Sequence, residues 1–177
     1  YNPVRRGIPE IAEQVSCKVD EILEKCGTRE IHIIGHSLGG LVARYYIEQM
    51  GGFRKVRTLI TLGTPHRGTI AAYFSRSQAA KQMRPGSELL RMMNAKRRPR
   101  SVSYISYYSD LDALVVPAKS AKLSGGPNVR NVLVHDLGHM SLLISNGLIA
   151  SIATNLTSYL DVGHSVNGGK KIEELFG

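Results

Sequence analysis

The sequence lacks any apolar run long enough to cross a lipid bilayer. Such a span needs about 18 to 20 apolar residues, and the apolar runs of this 177-residue chain are much shorter. The first residues, YNPVRRGIPEIAEQ, also lack the apolar core of a secretory signal peptide. We therefore expect the chain as given to be soluble, either cytoplasmic or exported through a signal that this sequence does not contain.

Cysteines are scarce, with only Cys17 and Cys26 in the chain. Both fall in one helical pattern, where their separation along the helix is about 13 Å, and a disulfide tolerates about 7 Å. We expect free thiols that pack in the core. No His-x-x-x-His pair falls on a predicted helix and no Cys-x-x-Cys pair is present, so we expect neither a metal site nor another cofactor.

Acidic residues are few beside the basic ones. The chain has 23 Lys and Arg against 14 Asp and Glu, a net charge of +9, which favours anionic partners. The basic residues are densest in NAKRRPRS, residues 94–101, without an RNA-binding signature or zinc-finger spacing. We interpret this run as a solvated turn, expect no nucleic-acid partner, and keep an anionic membrane or lipid surface as a candidate partner.

Strand patterns alternate with helical patterns along the chain. The predicted strands are 31–34, 56–62, 102–108 and 131–135. A first predicted helix carries Ile11, Val15, Val19, Ile22 and Cys26, with Pro9 near its start and Gly27 just past its end, and the further helical segments are 38–50, a region within 69–95, and 146–160. This alternation predicts an α/β fold with a mostly parallel sheet and helices on both faces. We expect one domain over residues 1–160 and a C-terminal tail over 161–177.

The stretch GHSLGG, residues 35–40, joins the strand at 31–34 to the following helix. A sharp strand-to-helix turn strains its central residue and leaves room only for small residues two positions away on each side, here Gly35 and Gly39. Such a turn lifts the hydroxyl of Ser37 above the sheet and directs the amide of Leu38 toward developing negative charge. We predict Ser37 as a nucleophile and Leu38 N–H as an oxyanion donor.

A nucleophilic serine needs a base, and the base needs an orienting acid. In this arrangement the acid and the histidine follow the serine in loops after later strands. The strand ending at residue 108 is followed by Asp110 and Asp112, and we prefer Asp112 because Asp110 abuts the strand end. Of the six histidines, only His139 follows both a candidate acid and the last strand at a suitable place, so we predict His139 as the base.

Two long segments carry a family resemblance: IHIIGHSLGGLVARYYIEQMGG followed by VRTLITLGTPHRGT, with MRPGSELL, YYSDLDALVVP and NVLVHDLGHMSLL in the same order. Over residues 8–160 the sequence resembles bacterial triacylglycerol lipases of the α/β-hydrolase superfamily, particularly the actinobacterial group. The resemblance implies the α/β-hydrolase fold and a triad of Ser37, Asp112 and His139. It also implies a lid or acyl-pocket segment at about 69–95, whose apolar residues are Ile70, Tyr73, Phe74, Met83, Leu89, Leu90, Met92 and Met93. From the residues alone the alternative is favoured, since apolar residues at helical spacing usually pack on the sheet.

In such enzymes a second oxyanion donor lies in a loop well before the nucleophile, usually marked by His-Gly. Only 36 residues precede Ser37 here, and none of them forms a His-Gly pair. We therefore expect an N-terminally truncated α/β hydrolase in which the strand 31–34 pairs on one side only. An exposed edge of this kind is a site for association with another chain.

The sequence predicts a serine ester hydrolase of the lipase or carboxylesterase type that cleaves acyl esters, lipids in particular, through an acyl-enzyme. An acyltransferase or a thioesterase would use the same triad. A basic binding module with an impaired triad is the alternative outside enzymes, because the second oxyanion donor is not in the sequence.

Overall fold

The computed structural model describes residues 6–163 of the chain, with side chains to residue 156. Two compact units divide the chain, Tyr1–Leu143 and Ile144–Gly177. The helices are α1 (Ile8–Cys26), α2 (Leu38–Gln49), α3 (Gln78–Gln82), α4 (Glu88–Ala95) and α5 (Asn146–Gly163). The strands are β1 (Ile31–His36), β2 (Val56–Leu62), β3 (Ser103–Ser109) and β4 (Val129–Val134).

The first unit is built on a four-stranded parallel sheet with the order β1-β2-β3-β4. Residues 58–62 of β2 are all buried, and consecutive strand residues point to opposite faces. Both faces of the sheet are therefore covered at β2, as expected for parallel strands joined by helices.

Helix α1 shows how the local sequence sets its own ends. Pro9 lies in the first turn, the Glu10 carboxylate accepts a hydrogen bond from Gly7 N at 3.0 Å, and Gly27 ends the helix with a φ of 61°. The buried side of α1 packs on α2. Cys17 lies on its opposite side and Cys26 is its last residue, so both thiols are free but exposed, and the prediction that they pack in the core was wrong.

Strand β1 lies at an edge of the sheet. Among residues 6–163 it pairs only with β2, from Ile31 against Val56 to His36 against Leu62, which agrees with the predicted one-sided pairing. The side chain of Ile34 is 51% exposed at this edge. Association of another chain with β1 stays a prediction.

The second unit is described over residues 144–163. The described part of this unit is α5. Ser145 directly precedes the helix, and its backbone carbonyl accepts a hydrogen bond from Ile149 N at 2.9 Å. The predicted tail 161–177 falls partly in α5, and its residues 164–177 lie outside the described residues. No described helix is both long enough and apolar enough to span a membrane.

Candidate active site

Ser37 occupies the joint between β1 and α2 in a strained backbone conformation. Its φ is 52° and its ψ is −124°, a region that non-glycine residues rarely adopt. Backbone hydrogen bonds hold it there, from Ser37 N to the carbonyl of Leu62 at 2.9 Å and from Gly40 N to the carbonyl of Ser37 at 3.2 Å. The carboxyl end of β2 and the first turn of α2 thus fix the position of the serine.

Two glycines make this turn sterically possible. A Cβ at Gly35 would lie 2.7 Å from Gly40 Cα, and a Cβ at Gly40 would overlap the side chain of Thr64. A Cβ at Gly39 would meet nothing within 4 Å, so the prediction that Gly39 is needed for lack of space was wrong. The close approach is between Gly35, Gly40 and the loop after β2.

Leu38 is the first residue of α2. N–H groups in the first turn of a helix have no acceptor within the helix, and the helix dipole places partial positive charge there. The amide of Leu38 is therefore suited to bind an oxyanion formed at Ser37. That role for Leu38 is a proposal.

Asp112 and His139 lie together in two loops at the carboxyl ends of β3 and β4. Nδ1 of His139 is 2.7 Å from Oδ2 of Asp112, and the two side chains are only 6% and 2% exposed. Because a carboxylate oxygen accepts, Nδ1 donates, and the free Nε2 is left as the proton acceptor. The orientation is that of a base held by an acid.

The other oxygen of Asp112 is held by the backbone. Leu114 N and Val115 N donate to Oδ1 at 2.9 and 3.0 Å. Burial alone would raise the pKa of Asp112, but the hydrogen bonds from His139, Val115 and Leu114 together outweigh it and hold the pKa below its usual value. The carboxyl group is therefore ionised at neutral pH.

Asp110 pairs with a different histidine. Its Oδ2 lies 2.6 Å from Nδ1 of His135, and these side chains are 45% and 68% exposed. The hydrogen bond from His135 lowers the pKa of Asp110. His135 lies just beyond the end of β4, rather than within the strand as predicted. The two aspartates thus define one exposed pair and one buried pair, and the buried pair contains the two residues favoured by the sequence.

His36 and Gly63 take part in the site although the sequence did not single out either. The rings of His36 and His139 have centroids 4.5 Å apart, and Nε2 of His36 donates to the His139 carbonyl at 3.1 Å. Desolvation lowers the pKa of His36 and keeps its ring neutral. A Cβ at Gly63 would lie 2.8 Å from Asp112 Oδ2 and 3.1 Å from His139 Nδ1, so only glycine fits behind the pair. The sequence signal for Gly63 was its place directly after β2, in LGTP.

Ser37 is half-buried, and its hydroxyl makes no hydrogen bond to another described residue. Its chain neighbour His36 contacts His139 directly. The structure thus brings Asp112 and His139 into contact, and it joins Ser37 to them through His36 rather than through a hydrogen bond of its own.

Two further histidines of the described chain, His66 and His32, lie outside these two Asp–His pairs. His66 is fully buried, with Nε2 3.0 Å from Oγ1 of Thr61, and burial lowers its pKa well below the usual value. His32 lies on β1, where desolvation lowers its pKa. His164 lies outside the described residues. Within residues 6–163, no three His, Cys, Asp or Glu side chains are grouped so as to hold a metal ion.

Exposed apolar side chains lie in the loops at the carboxyl end of the sheet. The loop after β2 contains Phe74, Tyr73 and Ile70, which are 92%, 56% and 52% exposed. Ile70 N donates to the carbonyl of Val116 at 3.0 Å, which ties this loop to the one that carries Asp112. Further exposed apolar residues in the loops after β3 and β4 are Leu111, Leu114, Val116, Met140 and Leu143. We call these eight residues the apolar rim.

Within the predicted acyl segment 69–95, two members do not contribute surface. Leu90 and Met93 of α4 are 1% and 0% exposed, so their side chains are buried inside the protein. The most exposed apolar residues of the segment come from the 3₁₀ helix Ile70–Phe74, and Met92 of α4 is 37% exposed.

Comparison with known proteins defines the class of fold. The mature lipase BlEst2 of Bacillus licheniformis superposes with a TM-score of 0.72 at 17% identity, covering 86% of this chain and 75% of that one. Lipase B of Aspergillus fumigatus gives a TM-score of 0.67 at 17% identity, covering 79% of this chain and 39% of that one. The chain has the α/β-hydrolase fold, and its similarity in sequence to two triacylglycerol lipases confirms the predicted resemblance.

The family follows from sequence. Residues 5–122 match the model of the palmitoyl protein thioesterase family, and the chain belongs to that family. Triacylglycerol lipases of Pseudarthrobacter phenanthrenivorans and Burkholderia plantarii are each 39% identical over 62 residues, which is 35% of this chain. The matched region is 19% and 17% of those two relatives, so the chain spans only a small part of their length.

Proposed function

We propose that this chain carries the catalytic centre of a serine hydrolase that cleaves acyl esters of lipids. The observation that carries the proposal is the buried contact of 2.7 Å between Asp112 and His139. This contact lies at the carboxyl end of the sheet, where the strained Ser37 also lies. It leaves Nε2 of the His139 imidazole free to accept a proton.

The mechanism assigns one role to each residue. His139 takes the proton of the Ser37 hydroxyl as the oxygen attacks the ester carbonyl, and Asp112 stabilises the imidazolium that forms. The amide of Leu38 donates to the oxyanion of the tetrahedral intermediate. His139 then returns the proton to the departing alcohol, and water attacks the acyl-enzyme by the same route.

The apolar rim supports a lipid as the substrate. Its members lie on the loops that carry Asp112 and His139 and on the neighbouring loop after β2. Burial of such apolar surface against an acyl chain is favourable by roughly 25 cal/mol for each Å² removed from water. The relatives named triacylglycerol lipase are consistent with the same substrate class.

A thioesterase is the second candidate, and the family match favours it because the family is named for palmitoyl protein thioesterases. The chemistry differs only in the leaving group, a thiol in place of an alcohol. Rates measured on an oxygen ester and a thioester of the same acyl chain separate the two candidates. A higher kcat/KM for the thioester would replace our first proposal with the second.

A fluorophosphonate probe tests the nucleophile directly. We expect labelling of the folded chain at Ser37 and loss of that label in Ser37→Ala and His139→Ala. The Thr154→Ala variant, which changes an exposed hydroxyl in the second unit, is the control that retains the label. If the folded wild type takes no label, the catalytic proposal is wrong and a binding module is favoured.

A further inference from the structure

The basic run 94–101 does not behave as a uniformly solvated turn. Lys96, Arg97 and Arg100 are exposed, but the side chain of Arg98 is only 7% exposed and lies 3.3 Å from Oε1 of Glu48. The earlier interpretation is therefore wrong for Arg98. The side chain of Arg98 is therefore held inside the protein, whereas the other basic side chains of the run are exposed.

Two buried cations share one carboxylate at this place. Nε of Arg44 lies 2.9 Å from the same Glu48 oxygen, and the side chains of Arg44 and Glu48 are 0% and 4% exposed. Buried charges are stable only when they are paired and hydrogen-bonded. This cluster has two positive charges and one negative charge, so it lacks one anion.

Both guanidinium groups of the cluster keep an unsatisfied nitrogen. Nη1 of Arg98 donates to the carbonyl of Ser124 at 3.3 Å, and its Nε makes only the 3.3 Å ion-pair contact with Glu48. Nη2 of Arg98 and Nη1 of Arg44 have no hydrogen-bond acceptor among the described residues. Burial, and then the charge of Arg44, lower the pKa of Arg98. An anion placed against this guanidinium would favour its charged form and so counteract both effects.

A cavity of about 320 Å³ opens beside Arg98. Its charged lining consists of Lys96, Arg97, Arg98 and Arg100, with no carboxylate, and the loop Ser124–Val129 with Gly125 and Gly126 forms the other wall. Val129 is the first residue of β4, so the cavity lies at the amino end of the sheet. Ser37, Asp112 and His139 lie at its carboxyl end.

We propose that this cavity binds a phosphate group, either as free phosphate or as the phosphomonoester of a lipid head group. Arg98 supplies the buried guanidinium, which forms paired hydrogen bonds with phosphate oxygens. Lys96 and Arg100 supply charge at the entrance. The bound group is the missing anion of the Arg44–Glu48–Arg98 cluster.

The test measures binding of inorganic phosphate to the full chain by calorimetry, with ionic strength held constant by sodium chloride. We expect saturable binding and a rise in Tm for the wild type. Lys96→Gln with Arg100→Gln should weaken binding by about tenfold or more, and Arg98→Met should abolish it. The control, Arg29→Gln with Arg54→Gln, removes the same charge from exposed positions elsewhere and should bind phosphate as the wild type does.

Two further arms identify the source of the phosphate. If vesicles containing phosphatidic acid bind the chain and free phosphate displaces them, the ligand is a head group; binding of free phosphate alone assigns a small anion. If Arg98→Met fails to fold, the test is decided by the entrance variant, which carries Lys96→Gln and Arg100→Gln. The proposal is overturned if the wild type shows no saturable phosphate binding, if the entrance and control variants behave alike, or if only an oligonucleotide binds.

Discussion

The imidazole of His36 lies against the imidazole of His139, with ring centroids 4.5 Å apart and a hydrogen bond of 3.1 Å from His36 Nε2 to the His139 carbonyl. His36 directly precedes Ser37, so this contact joins the nucleophile turn to the loop that carries the proposed base. A change at His36 should therefore affect catalysis by moving His139.

The first prediction concerns that contact. His36→Ala removes both the ring and the hydrogen bond, and we expect kcat to fall about tenfold, the size of one lost hydrogen bond. His36→Phe restores the ring contact but not the donor, and should recover part of the loss. Both variants are measured for kcat and for Tm. Equal rates in the wild type and His36→Ala would show that the contact has no positioning role.

The second prediction separates the two Asp–His pairs. Asp112→Asn replaces the acceptor of the His139 Nδ1 proton and should lower kcat by roughly 10³ to 10⁴. Asp110→Asn changes the exposed pair with His135 and should leave kcat within about twofold, since exposed ion pairs contribute little. Steady-state kinetics on a soluble ester compare the two directly. A greater loss in Asp110→Asn would transfer the role of acid to that residue.

The third prediction compares two glycines whose backbone φ angles are similar. Gly63 and Gly27 have φ values of 51° and 61°, so an alanine at either costs about 1 to 2 kcal/mol of strain. A Cβ at Gly63 would also press on Asp112 and His139, whereas one at Gly27 meets nothing within 4 Å. We expect both variants to lower Tm, but only Gly63→Ala to lower kcat at a temperature where both are folded.

Most of the fold could be predicted from the sequence because its signals are local. The alternation of strand and helix patterns located β1 to β4 and α2 within a few residues, and Gly27 marked the end of α1. The errors concern which side of an element faces the core. Cys17 and Cys26 are exposed because the buried side of α1 is set by its packing on α2, which no local pattern specifies.

Chain order and strand ends led to Ser37, Asp112 and His139, and the structure places Asp112 and His139 in contact; the catalytic roles of the three residues stay predictions. Contacts between distant segments were not predictable in this way. His36 precedes both candidate acids in the chain, so chain order did not point to it, and Gly63 and Gly40 act through loops more than 20 residues away in the sequence. Arg98 is similar, since a charge in a basic run gives no sign of the buried Glu48 that holds it.

The fourth prediction concerns pH. Burial, with the charges of Arg44 and Arg98, lowers the pKa of His66 well below its usual value, so in the folded chain His66 stays neutral at pH values where an ordinary histidine takes up a proton. The unfolded chain binds a proton there below about pH 6.5. The free energy of unfolding should therefore fall as pH drops from 7.5 to 5.5, by up to about 1.4 kcal/mol per pH unit for each such group.

His32 and His36 also have lowered pKa values and act in the same direction, so a variant is needed to isolate His66. His66→Gln should be less stable than the wild type at pH 7.5, yet it should lose less stability on acidification. Urea unfolding at several pH values gives both quantities. Identical pH dependence in the two proteins would mean that His66 is protonated equally in the folded and unfolded states.

The fifth prediction tests the apolar rim as a binding surface for acyl chains. Phe74 is 92% exposed, and nothing in its own packing accounts for so large an apolar group in water. Phe74→Ala should therefore leave the stability and the kcat/KM for acetyl esters nearly unchanged, while kcat/KM for long-chain esters falls about tenfold through the lost apolar contact. Met50→Ala, at an exposed position beyond the end of α2, is the matched control. A uniform loss on short and long esters would place Phe74 in the support of the catalytic loops, and no loss on either would remove the rim from substrate binding.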